Sequence, residues 1–113
     1  MYQIIEKDWK LFRKLLPGWQ EAYMDRLMKE YLEILTSNKL ASDKFWELDK
    51  RIREDKRCYG VVVSGASRSK LFYIIIGLLG EGAITENDLL DFSEDLQENV
   101  KLWFEIESRS VPE

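Results

Sequence analysis

The run Leu71-Phe72-Tyr73-Ile74-Ile75-Ile76-Gly77-Leu78-Leu79 narrows the folds open to this chain more than any other stretch. It has about half of the roughly 20 apolar residues needed to cross a bilayer, so it cannot span one. Water drives such a segment into a core, and the rest of the chain must supply amphipathic elements to wrap it. Ser67 or Ser69 can start a helix through it, and Gly80-Glu81-Gly82 stops that helix, although a buried strand would read alike over so few residues. Ile74, Ile75 and Leu78, with Phe92 and Leu96 from downstream, are the expected centre.

The flanking sequence offers the surfaces to cover it. Trp9, Phe12, Leu15 and Leu16 mark one face of a short helix over 6–16, which Pro17-Gly18 is expected to break. A second helix starts near the proline and runs to about Thr36, burying Tyr23, Leu27, Tyr31 and Ile34 on a face widened by Met24, Met28, Leu32 and Leu35. After the loop Thr36-Ser37-Asn38-Lys39, Ser42 can cap a helix to about Arg57 with Ala41, Phe45, Leu48 and Ile52 as its buried stripe. Tyr59 to Gly65 is β-branched and bounded by glycine, which predicts a short strand or extended segment near 60–64, with 2–5 or a second subunit as its only strand partner. Thr85-Glu86-Asn87-Asp88 is close to a capping box and opens a last helix carrying Leu89, Phe92, Leu96, Val100, Trp103 and Ile106 to about Ser108, with 109–113 frayed. The fold class expected is mainly α: one helical domain over 1–113, a bundle of four or five helices. A length of 113 residues, with 45% hydrophobic and 34% charged side chains, suits one core and excludes a disordered chain.

Several chemistries are closed. There is no histidine and only one cysteine, Cys58, so the commonest general base, the commonest metal ligand and an intrachain disulfide are all missing. Aligning Gly82 with the turn glycine of a calcium loop leaves only one carboxylate, Glu81, among the first three ligand positions, which argues against calcium. Gly65-Ala66-Ser67 departs from the Gly-Lys-Ser/Thr of a phosphate loop, though Ser67, Arg68, Ser69 and Lys70 at a helix start can still contact an anion. No catalytic residue, metal or cofactor is expected. Met1 to Asp8 lacks a basic segment followed by an apolar one, and with a lone thiol this points to the cytoplasm.

Charge is unevenly divided. Residues 1–58 hold 13 Lys and Arg against 11 Asp and Glu, whereas 59–113 hold 4 against 10, giving +2 and −6 and the net −4. Glu81, Glu86, Asp88, Asp91, Glu94, Asp95 and Glu98 follow one another with no Lys or Arg before Lys101. At helical spacing most of them project away from the Leu89, Phe92, Leu96 stripe. Asp88, Asp91, Glu94, Asp95 and Glu98 are therefore the candidate partner-binding residues. Trp46, off the Phe45 and Leu48 stripe and near Lys50 and Arg53, is a candidate interface anchor.

The stretches EKDWKLFRKLLPGWQEAYMDRL, ASDKFWELDKRI and GAITENDLLDFSEDL resemble short proteins of Firmicutes and their mobile elements. Some of those carry the name multidrug transporter, which a chain without a spanning segment does not support. In size and acidity the chain is also similar to anti-CRISPR inhibitors. The function expected is a small noncatalytic protein-interaction module, an inhibitor that docks an acidic helix on a basic macromolecular surface of a protein or nucleoprotein. The alternative is a nucleic-acid-contacting accessory protein using Lys50, Arg51, Arg53, Lys56 and Arg57 with residues 68–70, which the net charge disfavours. A homodimer is open to either, and a membrane partner is not expected.

Overall fold

The computed structural model describes residues 3–110, with side chains through Ser108. Four helices account for the fold: α1 (Glu6–Thr36), α2 (Ala41–Asp55), α3 (Leu71–Gly80) and α4 (Glu94–Ser110). No strand occurs among the described residues. The architecture is mainly α, as the apolar run and its amphipathic flanks predict.

α1 is the spine. Its 31 residues continue through Pro17, where two helices are expected from the sequence. Proline removes one helical hydrogen bond and costs about 3 kcal/mol in a helix interior. Packing on both sides of it outweighs that. Phe12, before the proline, meets Trp19, after it, with ring centroids 6.4 Å apart, and Trp19 stacks on Phe92 at 6.2 Å. Both halves of α1 are thus held against one core, and the helix continues through Pro17.

That core surrounds α3. Leu71, Phe72, Ile74, Ile75 and Leu78 are buried together with Trp9 and Phe12 of α1, with Phe92, and with Leu96 and Val100 of α4. Ile75, Leu78 and Leu96 are wholly inaccessible, so the expected centre is the observed one. Tyr73 stays 47% exposed, so α3 is not buried all round. A second, smaller cluster of Tyr23, Leu27, Tyr31 and Ile34 lies farther along α1, where Leu48 and Ile52 of α2 pack on it. α1 and α2 form an antiparallel hairpin that projects from the core. The radius of gyration is 16.9 Å, against about 13 Å for a compact chain of this length.

Four other features differ from the sequence expectation. Residues 60–64 are not a strand: the amides of Val61 and Val62 both donate to Cys58 O at 3.0 Å, a turn in place of a ladder. Val61 then packs on the hairpin cluster and Val63 on the main core, so the β-branched side chains serve two clusters instead of one sheet. Thr85 and Asp88 do interact, the Thr85 amide donating to Asp88 Oδ2 at 2.8 Å, but they hold only a 3-10 turn over Glu86–Leu89. α4 starts afresh at Glu94, with Ser93 Oγ accepting the Leu96 amide at 3.2 Å. It extends to Ser110, past the expected end, and 111–113 lie outside the described residues. Leu40 precedes α2, so Ser42 lies inside its first turn and caps nothing.

Candidate interaction surfaces

The acidic residues sort into two kinds. Glu81 belongs to the fold, accepting the amides of Tyr59 at 2.9 Å and Gly60 at 3.0 Å and so fixing the turn after α2. That turn sits tight: a Cβ on Gly60 would lie 2.4 Å from the Tyr23 ring, and one on Gly77 the same distance from the Tyr59 ring. Asp88, Asp91, Glu94, Asp95 and Glu98 are all exposed. None of these five carboxylates has a Lys or Arg within ion-pair distance among the described residues. The helix start favours negative charge there, and the side chains around it leave that charge unneutralised.

A further carboxylate that the sequence did not single out is buried. Asp8, in the first turn of α1, accepts the Ser93 amide at 2.9 Å and the Ser93 hydroxyl at 2.6 Å, while Ser93 Oγ caps α4. It locks the start of α1 to the start of α4. The acidic surface is therefore carried on a fixed helix end.

Of the seven basic residues in 50–57 and 68–70, Lys50, Arg51, Arg53 and Arg68 are tied to carboxylates, while Lys56, Arg57 and Lys70 are exposed with no ion pair among the described residues. Arg68 makes two 2.8 Å bonds to Glu6, lies 5.5 Å from the Trp9 ring centroid, and holds the Glu6 carboxyl below its ordinary pKa through those hydrogen bonds. Arg51 bonds Glu30 at 2.8 Å, Arg53 pairs with Asp49 at 3.0 Å and Lys50 with Glu54 at 3.9 Å. Ser67 Oγ is 3.1 Å from Ser69 Oγ, and Lys70 is exposed. The segments 50–57 and 68–70 do not merge into one patch. Arg51 is tied to Glu30 and Arg68 to Glu6, positions roughly 36 Å apart along α1 at 1.5 Å per residue.

The hairpin has two unlike flanks. One is polar, with Glu30, Glu33, Lys39, Glu47 and Arg51 around it and a Lys39 to Glu47 ion pair across it. The other is an open apolar groove of about 500 Å³ between α1 and α2, lined by Met24, Met28, Leu32, Leu35, Leu48 and Ile52 among others. Met28, Leu32 and Leu35 keep half or more of their surface exposed. The expected buried stripe of α2 is not buried, since α2 has no buried residue at all. Phe45 and Trp46 are each 64% exposed, with their rings 4.9 Å apart, edge to face. One neighbouring helix covers only one side of an amphipathic helix, which leaves the remainder of the stripe in water.

Two phenols close the inner wall of the hairpin. Tyr31 donates to Asp55 Oδ2 at 2.5 Å, and burial together with that bond pushes its pKa up to about 12. Tyr23 is pushed up to about 12 as well, by burial first and then by its hydrogen bond with Cys58. Among the described residues no cluster of three or more potential metal ligands occurs, and no helix is long and apolar enough to cross a membrane.

No family model, curated protein or solved structure matches this chain.

Proposed function

We propose that the protein is a noncatalytic interaction module whose acidic corner, Asp88, Asp91, Glu94, Asp95 and Glu98, docks on a basic surface of a macromolecular partner. The observation that carries this is the set of five exposed carboxylates with no ion-pair partner among the described residues, at and just before a helix start fixed by Asp8 and Ser93. A local excess of one sign steers a complementary partner and raises its association rate. An inhibitor that occupies a basic site meant for nucleic acid fits this surface, in keeping with the resemblance to anti-CRISPR proteins and the mobile-element proteins named above. The pairing of Arg51, Arg53, Lys50 and Arg68 with carboxylates weighs against direct nucleic-acid contact.

The test replaces Asp91, Glu94, Asp95 and Glu98 with their amides, which takes the net charge from −4 to about 0 and leaves the buried stripe intact. Against a partner captured from the host cell, association should slow strongly at low ionic strength and much less at high salt, because the lost steering is screened over about 10 Å at 0.1 M salt. Unchanged low-salt association would refute the acidic corner as the docking site. Tight, salt-sensitive binding of duplex DNA by the isolated protein would favour the nucleic-acid reading instead.

A further inference from the structure

We propose that the apolar groove between α1 and α2 takes a second copy of this chain, the two hairpins pairing about a two-fold axis into a dimer with a four-helix core. This does not depend on the acidic corner, which lies at the other end of the fold.

Area is the first argument. Met28, Leu32 and Leu35 line the groove, Leu40, Phe45 and Trp46 lie elsewhere on the same hairpin, and all six are half or more exposed. Together they offer on the order of 700 Å² of mostly apolar surface, near the roughly 800 Å² that each partner gives to a standard interface. The two methionines of the groove, Met24 and Met28, add side chains that adapt to an apposed surface.

Charge selects the occupant. Residues 1–58, which carry the hairpin, hold 13 basic and 11 acidic side chains, and its helices mix the signs, as in Asp25 with Lys29 and Asp49 with Arg53. A strongly charged partner of either sign gains little from such a rim. A second copy meets no such mismatch, because its own hairpin carries the same near balance of signs.

α2 also lacks cover. Phe45, Leu48 and Ile52 are spaced to be buried, yet the isolated chain buries no residue of α2. A second hairpin laid across the groove covers that stripe in the manner of a four-helix bundle. The ion-paired flank of Glu30, Arg51, Lys39 and Glu47 then faces solvent on both copies.

Sedimentation equilibrium on the intact protein, over about 1 to 200 μM, reads the proposal directly. The expected result is a mass rising from 13.4 kDa to twice that value with concentration. Leu32→Glu and, separately, Phe45→Glu should each weaken association by at least about a hundredfold with helical circular dichroism unchanged, because each change enters a two-fold interface twice. Glu33→Gln, on the polar flank, should leave association as it was. A monomer throughout that range overturns the proposal and leaves the groove to a different chain. So does a dimer that survives both hairpin variants, or one abolished by the four amide substitutions in the acidic corner. Should one hairpin variant lose its helicity, the other decides.

Discussion

The two ends of this molecule use the same kind of helix and reach opposite states. α3 is covered by α1, by α4 and by the turn carrying Ile84 and Leu89, and five of its ten residues are buried. α2 is longer, with 15 residues and a regular apolar stripe, but α1 is its one extended helical neighbour and none of its residues is buried. Periodicity therefore reports a surface on offer. Whether that surface is buried depends on how many elements can reach it, and the chain places three around α3 and one beside α2.

The sharpest way to break this comparison is to put a carboxylate at each end. Ile75→Asp should unfold the protein, since an unpaired buried charge costs several kcal/mol, about the whole stability of a small domain. Phe45→Asp in dilute solution should cost about 1 kcal/mol or less, as for most exposed positions. Thermal melts of the two variants check this, and equal losses would erase the distinction between the ends.

A smaller effect separates the ends by pH. The phenols of Tyr23 and Tyr31 sit in the hairpin cluster with their pKa values raised to about 12 by burial, whereas the buried aromatics of the main core are Trp9, Phe12, Phe72 and Phe92, which do not titrate. A phenol that holds its proton more tightly when folded stabilises the fold fully below its unfolded pKa, about 10, and that stability is lost as pH rises toward 12. Denaturant melts from pH 9 to about 12 should show the hairpin weakening first, and Tyr31→Phe should flatten the decline. A decline unaltered by that substitution would place the alkaline sensitivity elsewhere.

The smallest effect is expected where the two ends join. Gly18 lies inside α1, its φ is not positive, and an added Cβ would meet nothing within 4 Å. Gly18→Ala should therefore stabilise the protein by about 1 kcal/mol through helix propensity alone. A loss of stability on melting would mean that α1 depends on a freedom at this point that its helical course does not display.

Much of this was legible in the sequence because it is local. The run at 71–79, its closure at Gly80-Glu81-Gly82 and the stripe of Phe92, Leu96 and Val100 announce the core without knowledge of the partners. Pro17 misleads for the opposite reason: its cost is local, and the Phe12, Trp19 and Phe92 contacts that outweigh it are not. Thr85 and Asp88 form the interaction their spacing predicts, but spacing gives no length, and the turn ends after Leu89. Ser93, followed by Glu94 and Asp95, carries its own start signal for α4, which the stronger motif upstream obscured. Asp8 had no signal, since its partner is 85 residues away. For the acidic corner, composition located the residues and the structure added that none of them has an ion-pair partner among the described residues. The groove was hidden because Met24, Met28, Leu32 and Leu35 read as a face to be buried.

The bond between Asp8 and Ser93 also orders events during synthesis. Hairpin contacts such as Tyr31 to Asp55 and Arg51 to Glu30 close loops of 24 and 21 residues and can form while the chain is still growing. The first turn of α1 must wait for Ser93, because that contact closes a loop of 85 residues. The contacts of the less buried end thus become possible before the one that ties the tightly packed end together.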